Sequence, residues 1–265
     1  MTLASFQDAG VQGVRLTKKK RIIKGVPRVA GTHAKESYWI FQGLSVELEA
    51  GDGLVLVSRD PDRSAGPMLA WAGLLPVDTG QISAPAQCLL LTSPQSRWVR
   101  ELSVEQTIRM LAGIYGLTDD EVDDVVAPAA KLAQVDAKMH WPIQEMDKGV
   151  RDQIAFAVAV NAPVPVVMFD QTAQVGIREF RPLCLPQVNT LREQGKAVVL
   201  ATAKPQVALD AGSKAVILRG KRSQPVSVAE AAEFLIKDRV KGRRKARRRA
   251  EEDDDLAAGD VHVDA

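Results

Sequence analysis

The chain has 265 residues, of which 46% are hydrophobic and 26% charged, with a net charge of +2 and two cysteines. That is ordinary globular usage, enough for one α/β domain with a sizeable core or for two small ones, and the near-balance of charge singles out no partner. No stretch is long and apolar enough to span a bilayer, so work at a membrane would require docking through a partner. Met1–Gly10 lacks the apolar run of a signal peptide and reads as a flexible leader.

Val11–Leu16 reads as a first strand, and Lys18–Lys24 as a basic, solvated loop. Tyr38–Glu47 alternates in part through Trp39, Phe41, Leu44 and Val46 and predicts a second strand, closed by the turn Glu49–Gly53. Leu54–Val57 reads as a buried strand. Ser58–Gly66 follows as a loop, and a helix is predicted from there to Ala72-Gly73.

Strand, loop and helix are the context of a phosphate-binding loop, G-x-x-x-x-G-K-[ST], whose glycines let consecutive N–H groups point at phosphate. Here Ser58 and Arg63 stand at the two Gly positions, Ser64 at the Lys and Ala65 at the hydroxyl. Pro61 removes one N–H donor.

Cys88–Leu91, Val164–Phe169, Ala197–Ala201 and Ala215–Leu218 are continuous apolar runs, as expected of strands covered on both faces. Ser103-Val-Glu-Gln106, Thr118-Asp-Asp-Glu121 and Ser227-Val-Ala-Glu230 fit the capping box and predict three helix starts. The region from about Leu102 to Met146 reads as a helical subdomain inserted in an α/β core. Cys88 and Cys184 lie in apolar surroundings and read as buried thiols. His33, His140 and His262 have no metal-ligand spacing. His140 reads as packed between helices, Glu145 and Asp147 as solvated, and Trp71 and Trp98 as core residues.

Lys237–Arg249 is basic and Glu251–Asp255 acidic, the pattern of a solvated, partly self-neutralising tail whose last residues are disordered. Binding to nucleic acid or anionic lipid is the sharper reading of the basic block. It contains no aromatic residue to stack on bases, which argues against single-strand recognition, and nucleic acid is not an expected partner.

The order of these segments resembles the nucleotide-binding subunits of ABC transporters, most of all those that export capsular polysaccharide. The likeness runs over about Val11–Leu235, within a nucleotide-binding domain expected at 11–236. Ala72–Ile82 resembles A-G-L-L-x-P-D-S-G-x-I, and Glu101–Ile108 stands where the family has its S-L-T-G-R-E-N-type helix start. Ile114-Tyr-Gly116 matches I-Y-G, and Lys148–Ala157 resembles the signature S-G-M-R-A-R-L-A-F-A. Val175-Gly176 matches the V-G of the D-loop, and from Gly149 to Asp170 the spacing needs no gap. The resemblance implies a P-loop NTPase-like ABC-ATPase core with a parallel sheet, an inserted helical subdomain at about 102–146 and a charged tail at 237–265.

It also implies which residues would carry the chemistry. The phosphate loop maps onto Ser58, Arg59, Asp60, Pro61, Asp62, Arg63, Ser64, Ala65 and Gly66. The signature pair maps onto Lys148 and Gly149, and the Mg²⁺-associated Asp onto Asp170. The catalytic Glu position is Gln171, unable to accept a proton. The switch His position is Ala203, or Lys204 with a shift of one. The D-loop Asp position is Ile177, and no aromatic lies in Val14–Gly25 to stack on adenine.

A hydrogen bond to a charged group is worth about 1.5–3 kcal/mol, and Ser64 cannot replace an ammonium. Asp60 and Asp62 add negative charge where polyphosphate would lie. Arg59 and Arg63 offset it in part, which leaves weak phosphate binding open. Phosphoryl transfer rests on positioning and electrostatics, so losing Lys, hydroxyl, Glu and His together removes nearly all of it.

The expectation is therefore a degenerate ATP-binding subunit associated with polysaccharide export, with ATP and Mg²⁺ bound weakly or not at all. Its expected partners are an integral-membrane permease and either another ATPase subunit or a second copy of itself, in the cytoplasm at the inner face of the membrane. Two alternatives stand beside it: a scaffold or regulatory protein acting through Lys237–Asp255, and an active ABC ATPase with an atypical site.

Overall fold

The computed structural model describes residues 2–18, 33–92, 98–219 and 222–238. Most of the basic run at 18–24 and most of the tail beyond 237 lie outside them, as does His262.

Two sheets pack through one helix layer. The first is antiparallel, with strand order β2-β1-β4, from β1 (Thr2–Lys18), β2 (His33–Glu49) and β4 (Thr79–Ser83). The second has six strands in the order β5-β6-β7-β3-β8-β9: β3 (Gly53–Val57), β5 (Cys88–Leu91), β6 (Val166–Asp170), β7 (Ala197–Ala201), β8 (Lys214–Ile217) and β9 (Gln224–Val226). It is parallel except for β9, which runs antiparallel to β8. The apolar runs read from the sequence are these parallel strands, and β3 and β7 are buried at every residue. Such strands keep both faces dry because helices cover each side.

Helix α1 (Pro61–Trp71) fills the space between the sheets. Met68 and Trp71 pack there with Phe6, Phe41, Leu54 and Val166, and the rings of Phe6 and Trp71 stack at 4.5 Å. Phe6 therefore corrects the reading of Met1–Gly10 as a flexible leader. From Thr2 onward this segment is the first half of β1, with Ala4, Phe6 and Ala9 buried. Its apolar residues are too few to announce a strand, and the pairing with β2 and β4 supplies the order.

The other face carries α4 (Lys148–Asn161), α5 (Arg181–Glu193), α6 (Pro205–Ala211) and α7 (228–238). Helices α2 (Val104–Ile114) and α3 (Asp119–Leu132) with two short 3₁₀ turns form the predicted helical region. Both of its capping boxes are made: Ser103 Oγ accepts from the N–H of Gln106, and Thr118 Oγ1 from that of Glu121. The third is also made, Ser227 Oγ accepting from the N–H of Glu230.

His140 is exposed, which corrects its expected packing between helices, and Lys138 lies over the neighbouring Trp141 ring at 5.2 Å. Glu145 and Asp147 are exposed, as expected. Trp71 is buried and Trp98 packs partly buried against the core. Cys88 and Cys184 are free thiols, the first half-buried, the second buried. Among the described residues no helix is long and apolar enough to cross a membrane.

Candidate functional site at the carboxyl ends of the parallel strands

Ligands of open α/β sheets bind beyond the carboxyl ends of the strands. Here those ends are Val57, Asp170 and Ala201, and the segments leaving them carry the residues read as phosphate loop, metal Asp, catalytic and switch positions.

The segment after β3 corrects the expected loop. Only Ser58–Asp60 is irregular, because α1 already begins at Pro61. Proline is favoured at a first helical position, where its missing N–H costs nothing and its φ is preset. Ser58 Oγ accepts the N–H of Asp60 at 3.2 Å, and the carbonyl of Asp60 accepts the N–H of Arg63 at 3.1 Å. These N–H groups are thus satisfied within the segment. Ser64 is 2% exposed, and Ala65 follows it inside the helix. Gly66 faces β2: a Cβ there would lie 2.8 Å from Ile40 Cγ2 and 3.1 Å from Phe41 Cδ1. Its small size serves the seating of α1 on the antiparallel sheet.

A cavity of about 660 Å³ opens beside this turn, lined by Ser58, Arg59, Arg63, Leu218, Arg219 and Phe234. Its cations are already engaged. Arg59 Nε pairs with Asp238 at 2.9 Å and its guanidinium lies 5.7 Å from the Phe234 ring. Arg219 approaches the same ring at 5.9 Å, and Arg63 Nε is 3.5 Å from Asp60. Phe234 and Asp238 belong to α7. The capping box at Ser227 predicts that helix, but not that its last turns cross the cavity.

The sequence has no aromatic in Val14–Gly25, and the structure places one on the opposite strand. Tyr38 pairs with Gly13, a Cβ on which would meet the Tyr38 ring at 3.0 Å, and Arg63 lies 5.9 Å over that ring.

On the other side of the cleft, Asp170 ends β6, partly buried. Gln171 takes φ +58, a conformation few side chains adopt, and its N–H donates to the Ala201 carbonyl at 3.0 Å. Its Oε1 accepts the N–H of Ala203 at 3.3 Å. The fold thus brings together Gln171 and Ala203, the two positions read from the sequence as catalytic Glu and switch His. Lys204 donates to Gln174 Oε1 at 3.0 Å. Cys184 lies buried behind this loop, and burial raises its thiol pKa, so it is held as the unreactive thiol. Among the described residues no group of three or more His, Cys, Asp and Glu has the arrangement of a metal site.

The signature positions begin α4. Lys148 Nζ pairs with Asp152 at 2.8 Å. A Cβ on Gly149 would lie 2.9 Å from Ile177 Cγ2, so the residues read as signature and D-loop positions pack directly on each other. Gln153, one turn on and 1% exposed, donates to the Ala133 carbonyl at 3.3 Å and accepts the Ile177 N–H at 3.4 Å. In the sequence, Gln153 directly before the apolar run Ile154–Val160 is the only hint of this tie.

These elements define an α/β domain of the ABC-ATPase class, and the comparisons agree. No family model matches the chain. It is 21% identical over 165 residues, 62% of this chain and 45% of that one, to the teichoic acids export ATP-binding protein TagH of Levilactobacillus brevis. It is 23% identical over 182 residues, 68% of this chain and 59% of that one, to the ABC transporter protein AbcA of Aeromonas salmonicida. A solved ATP-binding subunit of an ABC transporter superposes with a TM-score of 0.65 at 15% identity, covering 88% of this chain and 99% of that one.

The chain therefore has the ABC-ATPase fold, and in sequence it is similar to teichoic acids export ATP-binding proteins. It spans about half the length of the TagH relatives it matches.

Proposed function

We infer that this chain is an export-type ABC nucleotide-binding subunit that has kept the architecture and given up the turnover of ATP. The observation that carries this reading is the turn Ser58–Asp60. A phosphate loop must leave successive N–H groups pointing outward, and here Asp60 and Arg63 spend theirs inside the segment while Pro61 has none. No ammonium stands at Ser64 and no hydroxyl at Ala65 to hold Mg²⁺. Arg59 is taken up by Asp238 and Phe234 of α7. Opposite, Gln171 cannot accept a proton from water and Ala203 offers no imidazole. The residues present do not fit a Mg²⁺-triphosphate.

The subunit's partners are then a membrane permease, which would hold it at the inner face of the membrane, and a second ATPase subunit that would supply turnover. The relatives' names support the export reading, and the fold supports the pairing. The test is a nucleotide titration with and without Mg²⁺, together with phosphate release by the purified protein and co-purification with the permease from membranes. Weak or absent nucleotide binding, background phosphate release and retained permease association are expected. Turnover that disappears in Asp170→Asn would overturn the reading.

A further inference from the structure

Three arginines converge beside the turn after β3. Arg59 comes from the turn itself, Arg63 from the start of α1 and Arg219 from the segment after β8, and all three line the cavity beside Ser58. One ring and two carboxylates hold these like charges together. Arg59 and Arg219 lie 5.7 and 5.9 Å from the Phe234 ring. Arg59 Nε is 2.9 Å from Asp238, and Arg63 Nε is 3.5 Å from Asp60, beyond the length of a close charge-assisted hydrogen bond.

A guanidinium carries five N–H donors in one plane, and a ring contact or a single carboxylate oxygen leaves most of them for another acceptor. Arg219 is exposed and, among the described residues, takes part in no ion pair. The cavity therefore has cationic donors to spare, although each arginine already has a neighbour.

Asp238 points to what takes them. It is the last described residue of α7, so the chain leaves the fold at this cavity with one of its carboxylates already on Arg59. Residues 239–250 then hold eight Lys and Arg and no Asp or Glu, and Glu251–Asp255 are five carboxylates in succession. A twelve-residue connection reaches about 40 Å when extended, and a tether of this length keeps what it carries at an effective concentration of about a millimolar. The arginines of the cavity repel the basic stretch and attract the acidic block.

We propose that Glu251–Asp255 folds back onto Arg63 and Arg219, beside Asp238 on Arg59, and covers the turn Ser58–Asp60 as a tethered polyanion. The contact between α7 and the turn continues into the acidic block, while the basic stretch between them loops away from the cavity. This rests on the reading that the turn holds no triphosphate, since a bound triphosphate would draw on the same guanidiniums.

Phenylglyoxal, which adds to accessible guanidiniums, tests the proposal in the full chain without nucleotide, the modified sites being read by mass spectrometry. The comparison is a full chain with the block neutralised by Glu251→Gln, Glu252→Gln, Asp253→Asn, Asp254→Asn and Asp255→Asn. Arg63 and Arg219 should react about three- to tenfold faster in the neutralised chain, and the exposed Arg100 at an unchanged rate. The difference should vanish at about 1 M salt, where charges more than about 3 Å apart are screened. Equal rates at Arg63 and Arg219 in the two chains would overturn the proposal. So would faster reaction confined to Arg243–Arg249, which would pair the acidic block with its own basic neighbour. Protection that grows with protein concentration would assign the block to a second copy and overturn the intrachain contact. ATP turnover by the chain would sink the functional reading by a separate measurement and leave these rates to be judged on their own.

Discussion

The side-chain oxygen of Gln171 accepts the backbone N–H of Ala203 at 3.3 Å, joining the segments that leave the neighbouring strands β6 and β7. In a hydrolytic site a carboxylate at the first position would face water and an imidazole at the second would face phosphate. Here the amide is used to bind its neighbour's backbone. Gln171→Glu alone should therefore leave phosphate release at background, because neither the phosphate donors nor an imidazole at 203 is restored. A coupled phosphate-release assay decides it, and a Mg²⁺-dependent rate well above the unaltered chain would contradict this expectation.

Glycine positions separate packing from propensity. Gly176 has φ +89, and a Cβ there would lie 2.5 Å from Gln153 Cγ and 2.8 Å from Phe180 Cδ1. Gly176→Ala should cost about 2–4 kcal/mol, since strain and a clash with buried atoms add. Gly113 lies near the end of α2, and a Cβ there would meet nothing within 4 Å. Gly113→Ala should add about 0.5–1 kcal/mol. Urea midpoints of the two variants should move in opposite directions.

Helix α7 is tied to the turn after β3 by Arg59, through Asp238 and the Phe234 ring. Both charged partners are at the surface, so the tie is modest. Removing Arg59 should cost about 1 kcal/mol, with a coupling of about 0.5 kcal/mol to Asp238 in a double-mutant cycle. Hydrogen exchange should quicken at residues 234–238 in Arg59→Ala and stay unchanged in β3. Exchange at 234–238 equal to that of the unaltered chain would show that the helix end is held by other means.

Burial of the Tyr115 ring against the helical core pushes its phenol up to about 12. In the unfolded chain it ionises near pH 10. The folded-state pKa is the higher one, so the stabilisation it represents is complete below pH 10 and is lost as pH rises from about 10 through 12. Between pH 9 and 11 the unaltered chain should lose about 1 kcal/mol more than Tyr115→Phe. Equal losses would mean that the ring is solvated.

Much of this architecture is visible in one dimension. Cys88–Leu91 and Ala197–Ala201 can be bounded from their apolar runs because a strand covered on both faces has no polar positions to blur its ends. The helix starts at Ser103, Thr118 and Ser227 are equally visible, since a capping box satisfies donors within four consecutive residues. Strand β4 has no such mark: Thr79–Ser83 is largely exposed and is ordered by pairing with β1. The first ten residues fail in the same way.

At the candidate site the sequence shows which groups are absent. That Ser64 carries no ammonium, Ala65 no hydroxyl, Gln171 no carboxylate and Ala203 no imidazole is a matter of residue identity, and no folding is needed to see it. Where α1 begins is different. Pro61 can sit in a loop or at a first helical position, and the choice is made by the seating of Gly66, Met68 and Trp71 between two sheets. The engagement of Arg59 by Asp238, far away in the chain, is likewise decided only in three dimensions. Side-chain chemistry is local and can be read letter by letter. Which donors are already spent, and which remain unsatisfied, depends on neighbours that only the packed chain supplies.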